Sequence, residues 1–203
     1  MLETRVLSDL KYIDEIVDIH MRTFTGFFLT FLGKGFLRHL YKGFIIHDKS
    51  NIIGAFDEGG NLMGFLAYSE DISQFYKQLL KKSLIPFAWY SFIAFLKKPK
   101  IMFRLLRAFT YSESSKNEDL YIELSSIGVL PVAKNKGIGT MLISELKKIV
   151  NTNNFKYIKL ETDKINNDSV NAFYLKNGFK LYKSYVTREG RNMNEYRYEL
   201  NII

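Results

Sequence analysis

No cysteine occurs among the 203 residues. That single absence excludes a disulfide framework, a thiolate metal site and a cysteine nucleophile, and it suits a reducing compartment. An apolar run of membrane-spanning length is lacking too. The most hydrophobic segment, Leu84 to Leu96 ("LIPFAWYSFIAFL"), stops after 13 residues at Lys97 and Lys98, short of the roughly 20 that cross a bilayer. A buried helix is the plainer reading, and an amphipathic segment that touches lipid, flanked by Lys81, Lys82, Lys97, Lys98 and Lys100, is the less favoured one. The start, "MLETRVLSDLKYIDEI", carries charge from residue 3 onward and has no uninterrupted apolar stretch before a small-residue cleavage site. A secretory signal is therefore not expected, and a cytoplasmic location is. Repeats and low-complexity tracts are also missing, which leaves one globular domain over 1–203 as the expectation.

The basic residues outnumber the acidic ones, giving a formal charge of +8 and a pI near 9.4. Such a surplus fits nucleic acid, an anionic membrane surface or a small anionic ligand. The lysines are spread through "KQLLKKS", "LKKPK" and "ELKKIV", with no arginine-rich tail and no zinc-finger or RNA-binding signature, so nucleic acid is not expected as a partner. The three histidines, His20, His39 and His47, have no metal-ligand spacing and read as structural or surface groups, and no metal is expected.

With 47% hydrophobic residues the chain is long enough for one sizeable core. "ETRVL" reads as a short strand. "SDLKYIDEIVDIHMRTF" places Leu10, Ile13, Ile16, Val17, Ile19 and Phe24 near helical spacing, with Ser8 or Asp9 as N-cap. "TFTGFFLTF" reads as an irregular apolar turn, followed by a helix from about Lys34 despite two glycines. "NIIGAFDEGGNLMGFLAYSED" is a hairpin turning at Asp57 to Asn61. A helical insertion spans about 72–110, with breaks at Pro86 and Pro99. "DLYIELSSIGVLP" is a strand stopped by Pro131, a helix runs from Gly137 to Asn151, and "KYIKLETD" is the next strand. Strand, crossover helix and strand make a right-handed parallel βαβ unit. "NDSVNAFYLKNGF" is a short helix ending at Asn177-Gly178, and "KLYKSYVTREGRNMNEYRYEL" forms two closing strands around a turn at Glu189 to Asn192. The expected fold is α/β, with one mixed sheet.

The chemistry concentrates in "VAKNKGIGTMLISEL". A strand that feeds a helix through a glycine-containing loop aims unpaired backbone N–H groups at one point, with the helix's positive end behind them. That arrangement binds phosphate. Gly137 and Gly139 would let an anion approach the main chain, Lys134 and Lys136 add charge, and Thr140 offers a hydroxyl. Two phosphate loops are excluded: the dinucleotide fingerprint needs glycine where Leu142 stands, and the mononucleotide loop needs lysine where Thr140 follows Gly139.

"IGVLPVAKNKGIGTMLISEL" resembles the acetyl-CoA-binding motif Q/R-x-x-G-x-G/A of the GNAT acetyltransferase superfamily, with Lys134 in the Q/R place. "NDSVNAFYLKNGFKLY" is similar to the same superfamily's later N-x-x-A-x-x-x-Y-x-x-x-G-F segment, with Val170 in the alanine place. The resemblance covers 119–200 well and 1–70 weakly. It implies a mostly antiparallel sheet around the central parallel βαβ unit, with acetyl-CoA as co-substrate. The cofactor side it implies comprises Ile127, Gly128 and Val129 on the strand. Lys134, Asn135, Lys136, Gly137, Ile138, Gly139 and Thr140 follow in the loop and helix start, and Asn167, Asn171, Phe173 and Tyr174 on the later helix.

The implied reaction is direct attack of an amine on the thioester, with Tyr174 protonating the departing thiolate; a phenol is a neutral donor at pH 7. Core packing beside Phe173 is the plain alternative for Tyr174. Glu123, six residues before Val129, is the candidate base, and strict alternation would put it on the face of Ser125, Ile127 and Val129. Thr25 to Phe31 and the insertion fall where the superfamily builds the acceptor side. The expected activity is N-acetylation of a small primary amine, with an amino sugar or nucleotide-linked amino sugar in view. A non-catalytic CoA-binding module and a peripheral membrane enzyme acting on a lipid-linked acceptor are the alternatives. The sequence leaves the oligomeric state open, a homodimer included.

Overall fold

The computed structural model describes residues 2–81, 120–150, 154–187 and 190–200. Of the expected insertion, 72–81 is helical and includes Lys81, while Leu84 to Leu96 with Lys82, Lys97, Lys98 and Lys100, and Pro86 and Pro99, lie outside the described residues.

Three strands open the sheet: β1 (Glu3–Val6), β2 (Ser50–Phe56) and β3 (Leu62–Ser69). The β2–β3 turn forms where "DEGGN" predicts it, with Gly60 at φ 77° and the Asp57 carboxylate accepting from the Asn61 backbone N–H at 2.8 Å. Four strands complete it: β4 (Tyr121–Val129), β5 (Tyr157–Asp163), β6 (Lys180–Val186) and β7 (Asn192–Glu199). Their order is β1-β2-β3-β4-β5-β7-β6. Every neighbouring pair is antiparallel except β4 and β5, so the mixed α/β sheet with a central parallel unit is as expected.

On one face lie α1 (Ile13–Thr23) and α3 (Gly33–Ile46), linked through a short α2 (Phe28–Phe31), with α4 (72–81) beside them. The region around Phe28 is thus one helical turn, where the sequence suggested an irregular segment. Asp9 does cap, but it caps a 3₁₀ turn at Leu10–Tyr12, and α1 starts only at Ile13. Along α1, Ile13, Ile16, Val17 and Ile19 are buried, and along α3 so are Phe36, Leu37, Leu40, Tyr41 and Phe44; these stripes at helical spacing pack against Ile52, Phe56, Phe65 and Ala67 of the sheet. Gly43, anomalous in a helix, has a reason here. A Cβ there would lie 2.7 Å from a Leu79 methyl and 3.3 Å from the Phe75 ring, so the glycine lets α4 approach α3.

The other face carries α5 (Ile138–Ile149) and α6 (Asp168–Lys176). Ile138, Leu142, Ile143 and Leu146 pack on Ile53, Leu66, Ile122, Leu124, Ile158 and Leu160. The two helices are tied together where Lys147 Nζ donates to the Asn177 carbonyl at 2.7 Å and lies over the Tyr198 ring at 3.5 Å.

One polar group in the first core makes stability depend on pH. His20 is 2% exposed, and burial pushes its imidazole from near 6.5 down to about 4. The unfolded chain therefore binds this proton first as pH falls. Stability from this group is complete above about pH 6.5 and is lost progressively towards pH 4, by about 3 kcal/mol in full. Urea midpoints measured at pH 7, 5.5 and 4.5 should fall less steeply in a His20→Gln variant than in the wild type. Parallel slopes would show that His20 titrates normally.

Candidate active site

The central feature is a parting of strands. β5 pairs with β4 over only three residues, Tyr121↔Tyr157, Ile122↔Ile158 and Glu123↔Lys159; beyond them the strands run on to Val129 and Asp163 without a ladder. The base of the wedge is pinned by the stacked rings of Tyr121 and Tyr157, 5.6 Å apart and 4° from parallel. A bulge in β4 lies at the parting point. Its register against β3 shifts between Ser126, opposite Ala67, and Leu124, opposite Tyr68, so Ser125 is the extra residue.

The backbone beyond the bulge faces the gap. Leu130 donates its N–H to the Met63 carbonyl at 2.9 Å. Bonded and non-bonded pairs alternate along an antiparallel ladder, so Ser126 and Gly128 bond to β3 while Ile127 and Val129 turn their amide groups towards β5. The Val129 carbonyl accordingly meets the hydroxyl of Thr23, the last residue of α1, at 3.1 Å.

The bulge also corrects the expectation for Glu123. Ile122 and Leu124 share a cluster with Ile127 and Val129, because the extra residue flips the alternation. Glu123 lies on the opposite face, with Gly128, whose missing Cβ would meet Ile19 of α1 and Phe24 just after it. There its carboxylate is 3.8 Å from Lys159 Nζ, and Lys159 is also 3.5 Å from Glu161. Burial disfavours the Lys159 charge, but the attraction of Glu123 and Glu161 outweighs it and raises its pKa. Sequence periodicity missed Glu161 as a neighbour of the gap; its place two residues past the parting point is a property of pairing.

At the far end of the wedge the loop after a 3₁₀ turn at Pro131–Ala133 delivers the start of α5. Lys134, Asn135, Lys136 and Gly137 are exposed. Asn135 and Gly137 both take positive φ, 62° and 79°, which curls the chain so that α5 begins with no side-chain cap. Its first hydrogen bond runs from the Met141 N–H to the Gly137 carbonyl, leaving the N–H groups of Ile138, Gly139 and Thr140 without helical partners. Gly139 serves a different purpose from the one its motif suggests. A Cβ on it would lie 2.9 Å from the Phe173 ring, so this glycine admits α6 against α5, and of the two glycines it is Gly137 that meets a conformational demand.

Phe173 and Tyr174 arrive together on α6. Tyr174 is 6% exposed, within a set of rings formed by Phe173, Phe179 and Tyr196, and burial pushes its phenol well above the ordinary tyrosine range. Asn167 and Asn171 do other work. The Asn167 amide donates to the Thr162 hydroxyl and the Asp163 carbonyl. The Asn171 amide donates to the carbonyls of Asp163 and Asn167, and its oxygen accepts from Asn194 and the Tyr196 hydroxyl. All four positions on Asn171 are filled within the chain, so the side chain locks α6 to the end of β5. Asn171→Ala should lower stability by about 1–3 kcal/mol, since several buried partners lose their bonds. Denaturant titration checks this.

His20 and His47 are buried, bonded to Tyr41 and Ser50 respectively. Among the described residues no group of three metal-ligating side chains occurs, and no helix is long and apolar enough to cross a membrane.

Parted parallel strands that expose backbone amides, an uncapped helix start at one end and a buried phenol on the adjoining helix define an acyltransferase that takes its acyl group from a coenzyme A thioester. The residues fit that molecule: the gap offers amide partners for an extended amide chain, and the helix start offers N–H groups for its phosphates. The family model described as "Acetyltransferase (GNAT) family" matches residues 13–179, and the chain belongs to that family of acetyl-CoA-dependent N-acetyltransferases. No curated protein is significantly similar in sequence. Solved structures share the fold: a GNAT-family protein from Desulfovibrio desulfuricans has a TM-score of 0.67 at 14% identity, covering 99% of this chain and 100% of its own. A GNAT acetyltransferase from Bacillus cereus (0.62, 15% identity) and an N-acetyltransferase from Staphylococcus aureus (0.61, 16% identity) each match over 99% of both chains.

Proposed function

We propose that this acetyltransferase moves the acetyl group of acetyl-CoA directly to a primary amine of a small acceptor, and that Tyr174 and Glu123 manage the protons. The observation that carries this reading is the wedge, with the backbone amides of Ile127 and Val129 turned into it and the free N–H groups of the α5 start at its far end. Ile127 and Val129 pair with the pantetheine amides as an added strand would. The N–H groups of Ile138, Gly139 and Thr140 hold the pyrophosphate, with Lys134 and Lys136 supplying long-range attraction.

A bond forms between the amine nitrogen and the acetyl carbon, and the carbon–sulfur bond breaks. Tyr174 gives its proton to the departing sulfur, a role open to a phenol that burial keeps neutral. The proton lost by the amine leaves through Glu123, directly or by way of water. Lys159 beside Glu123 favours the charged carboxylate, the form able to accept it. Asn171 acts through position, by fixing α6.

Calorimetric titration with acetyl-CoA tests the first half of this reading, and no detectable binding would remove it. Release of free CoA across a set of primary amines, headed by amino sugars and nucleotide-linked amino sugars, tests the second. Binding without transfer to any amine would favour a non-catalytic CoA-binding module. In the same titrations Lys134→Ala should weaken acetyl-CoA binding by only about fivefold, because an exposed lysine adds screened charge and no fork to grip the phosphates. A larger loss would make the side chain a principal contact.

A further inference from the structure

A line of polar groups crosses the otherwise apolar core between the sheet and α1/α3, and the reaction described above does not use it. Tyr41 of α3 is fully buried, edge-on to Phe65 at 5.1 Å. Its hydroxyl lies 2.6 Å from His20 Nδ1 and is also hydrogen-bonded to the Ser126 side chain. His20 is itself 2% exposed, and among the described residues its Nε2 finds no hydrogen-bond partner. An apolar trio of similar shape would fill this core without leaving a buried polar atom unsatisfied. Core packing alone therefore gives no reason for the line.

Its far end gives one. Ser126 follows the bulge at Ser125, where β4 leaves β5. It is half-buried and lies on the same face as Gly128 and Glu123. With Nδ1 of His20 as acceptor, Tyr41 donates to it and Ser126 donates to Tyr41, so the hydrogen of the serine hydroxyl is committed inward. Burial keeps the Tyr41 phenol protonated, so it has a single hydrogen to give, and with that hydrogen on His20 Nδ1 the serine is the donor of the second bond. The lone pairs of the serine oxygen are left to face outward, beside the backbone of Ile127.

We propose that Ser126 receives the acceptor: its oxygen accepts a hydrogen bond from the amine nitrogen and aims the nitrogen lone pair at the thioester carbon, while Tyr41 and His20 are positioning residues that fix the hydroxyl. A neutral primary amine has two N–H groups and one lone pair. Donating one N–H to Ser126 leaves the lone pair free to attack. The acceptor class that fits is an uncharged, unhindered amine, since a tertiary nitrogen has no hydrogen to give. The inference rests on the acetyl-transfer reading.

The test measures CoA release with glucosamine, tyramine and spermidine as probe amines, together with acetyl-CoA affinity by calorimetry and thermal midpoints. Ser126→Ala should lower kcat/KM for the best amine by about 10-fold or more while acetyl-CoA affinity stays within about twofold. Tyr41→Phe, which keeps the ring, should lower it in the same direction, and the double variant should be no worse than Ser126→Ala alone, because both remove one oriented acceptor. Transfer by the wild type with unchanged amine kinetics in Ser126→Ala overturns the inference alone. A Tyr41→Phe variant that loses thermal stability but keeps its amine kinetics shows the line to be structural and overturns it too. No transfer by the wild type to any probe amine removes the acetyl-transfer reading and this inference with it.

Discussion

Valine in place of Gly139 is expected to weaken acetyl-CoA binding by about 100-fold or more, an effect of about 2.7 kcal/mol. The cause is steric and indirect. The Cβ alone would stand 2.9 Å from the Phe173 ring, closer than carbon atoms approach, and valine adds two methyl groups to the same space. Phe173 sits on α6, which Asn171 bolts to β5 and β7, so the ring has little freedom to retreat and the start of α5 must move instead. That displaces the three free N–H groups from the point where they converge. Gly137 provides the contrast: its φ of 79° is strained for any side chain, but nothing lies within 4 Å of its would-be Cβ. Gly137→Ala should therefore cost about 1–2 kcal/mol of backbone strain, and Gly137→Val more. Calorimetric affinities for Gly137→Ala and Gly139→Val separate the two causes. A Gly139→Val variant that binds acetyl-CoA like the wild type would show that Phe173 yields and that α5 stays in place.

The second large effect is expected at Tyr174. Tyr174→Phe keeps the ring among Phe173, Phe179 and Tyr196 and removes only the proton donor, so kcat should fall by about 100-fold while acetyl-CoA affinity changes little. A thioester with a better leaving group, such as an aryl thioester of a CoA fragment, needs less help to depart. The loss with that substrate should be smaller, which a structural defect would not mimic. Unchanged kcat with acetyl-CoA in Tyr174→Phe would return Tyr174 to the core.

The two halves of the site differ in how they are written in the chain. "AKNKGIGT" and "NAFYLKNGF" are local: a glycine at positive φ, an uncapped helix start and a helix stop at Gly178, φ 83°, depend on neighbours a few residues away. Those features could be read before any contact was known. The same holds for the hairpin at Asp57 to Asn61 and the stripes of α1 and α3. The groups proposed to face the acceptor are not local. Glu123, Lys159, Glu161, Ser126, Tyr41 and His20 come from four separate elements, α1, α3, β4 and β5, and nothing in their spacing announces that they meet.

The clearest failure of alternation is Glu123. Period two is a property of an unbroken pleat, and one extra residue at Ser125 reverses every side chain beyond it. Two adjacent serines gave no warning, because a bulge is chosen by how a strand must bend between its neighbours. Gly139 is a milder case, since the motif singles out this glycine for the approach of an anion and the structure shows a packing reason for it, the Phe173 ring 2.9 Å from its would-be Cβ.

By itself, then, the sequence determined the mixed sheet, the order of its elements, the glycine-containing loop before α5 and the helix that carries Tyr174. Each of these follows from side-chain periodicity or from backbone dihedrals, which neighbouring residues set. Only the tertiary structure decided that β4 and β5 part after Glu123 and Lys159, that the amides of Ile127 and Val129 face the gap, and that a buried line from His20 ends at Ser126. Those are matters of pairing register and packing between residues about 20 to 110 positions apart, whose energies no local pattern records.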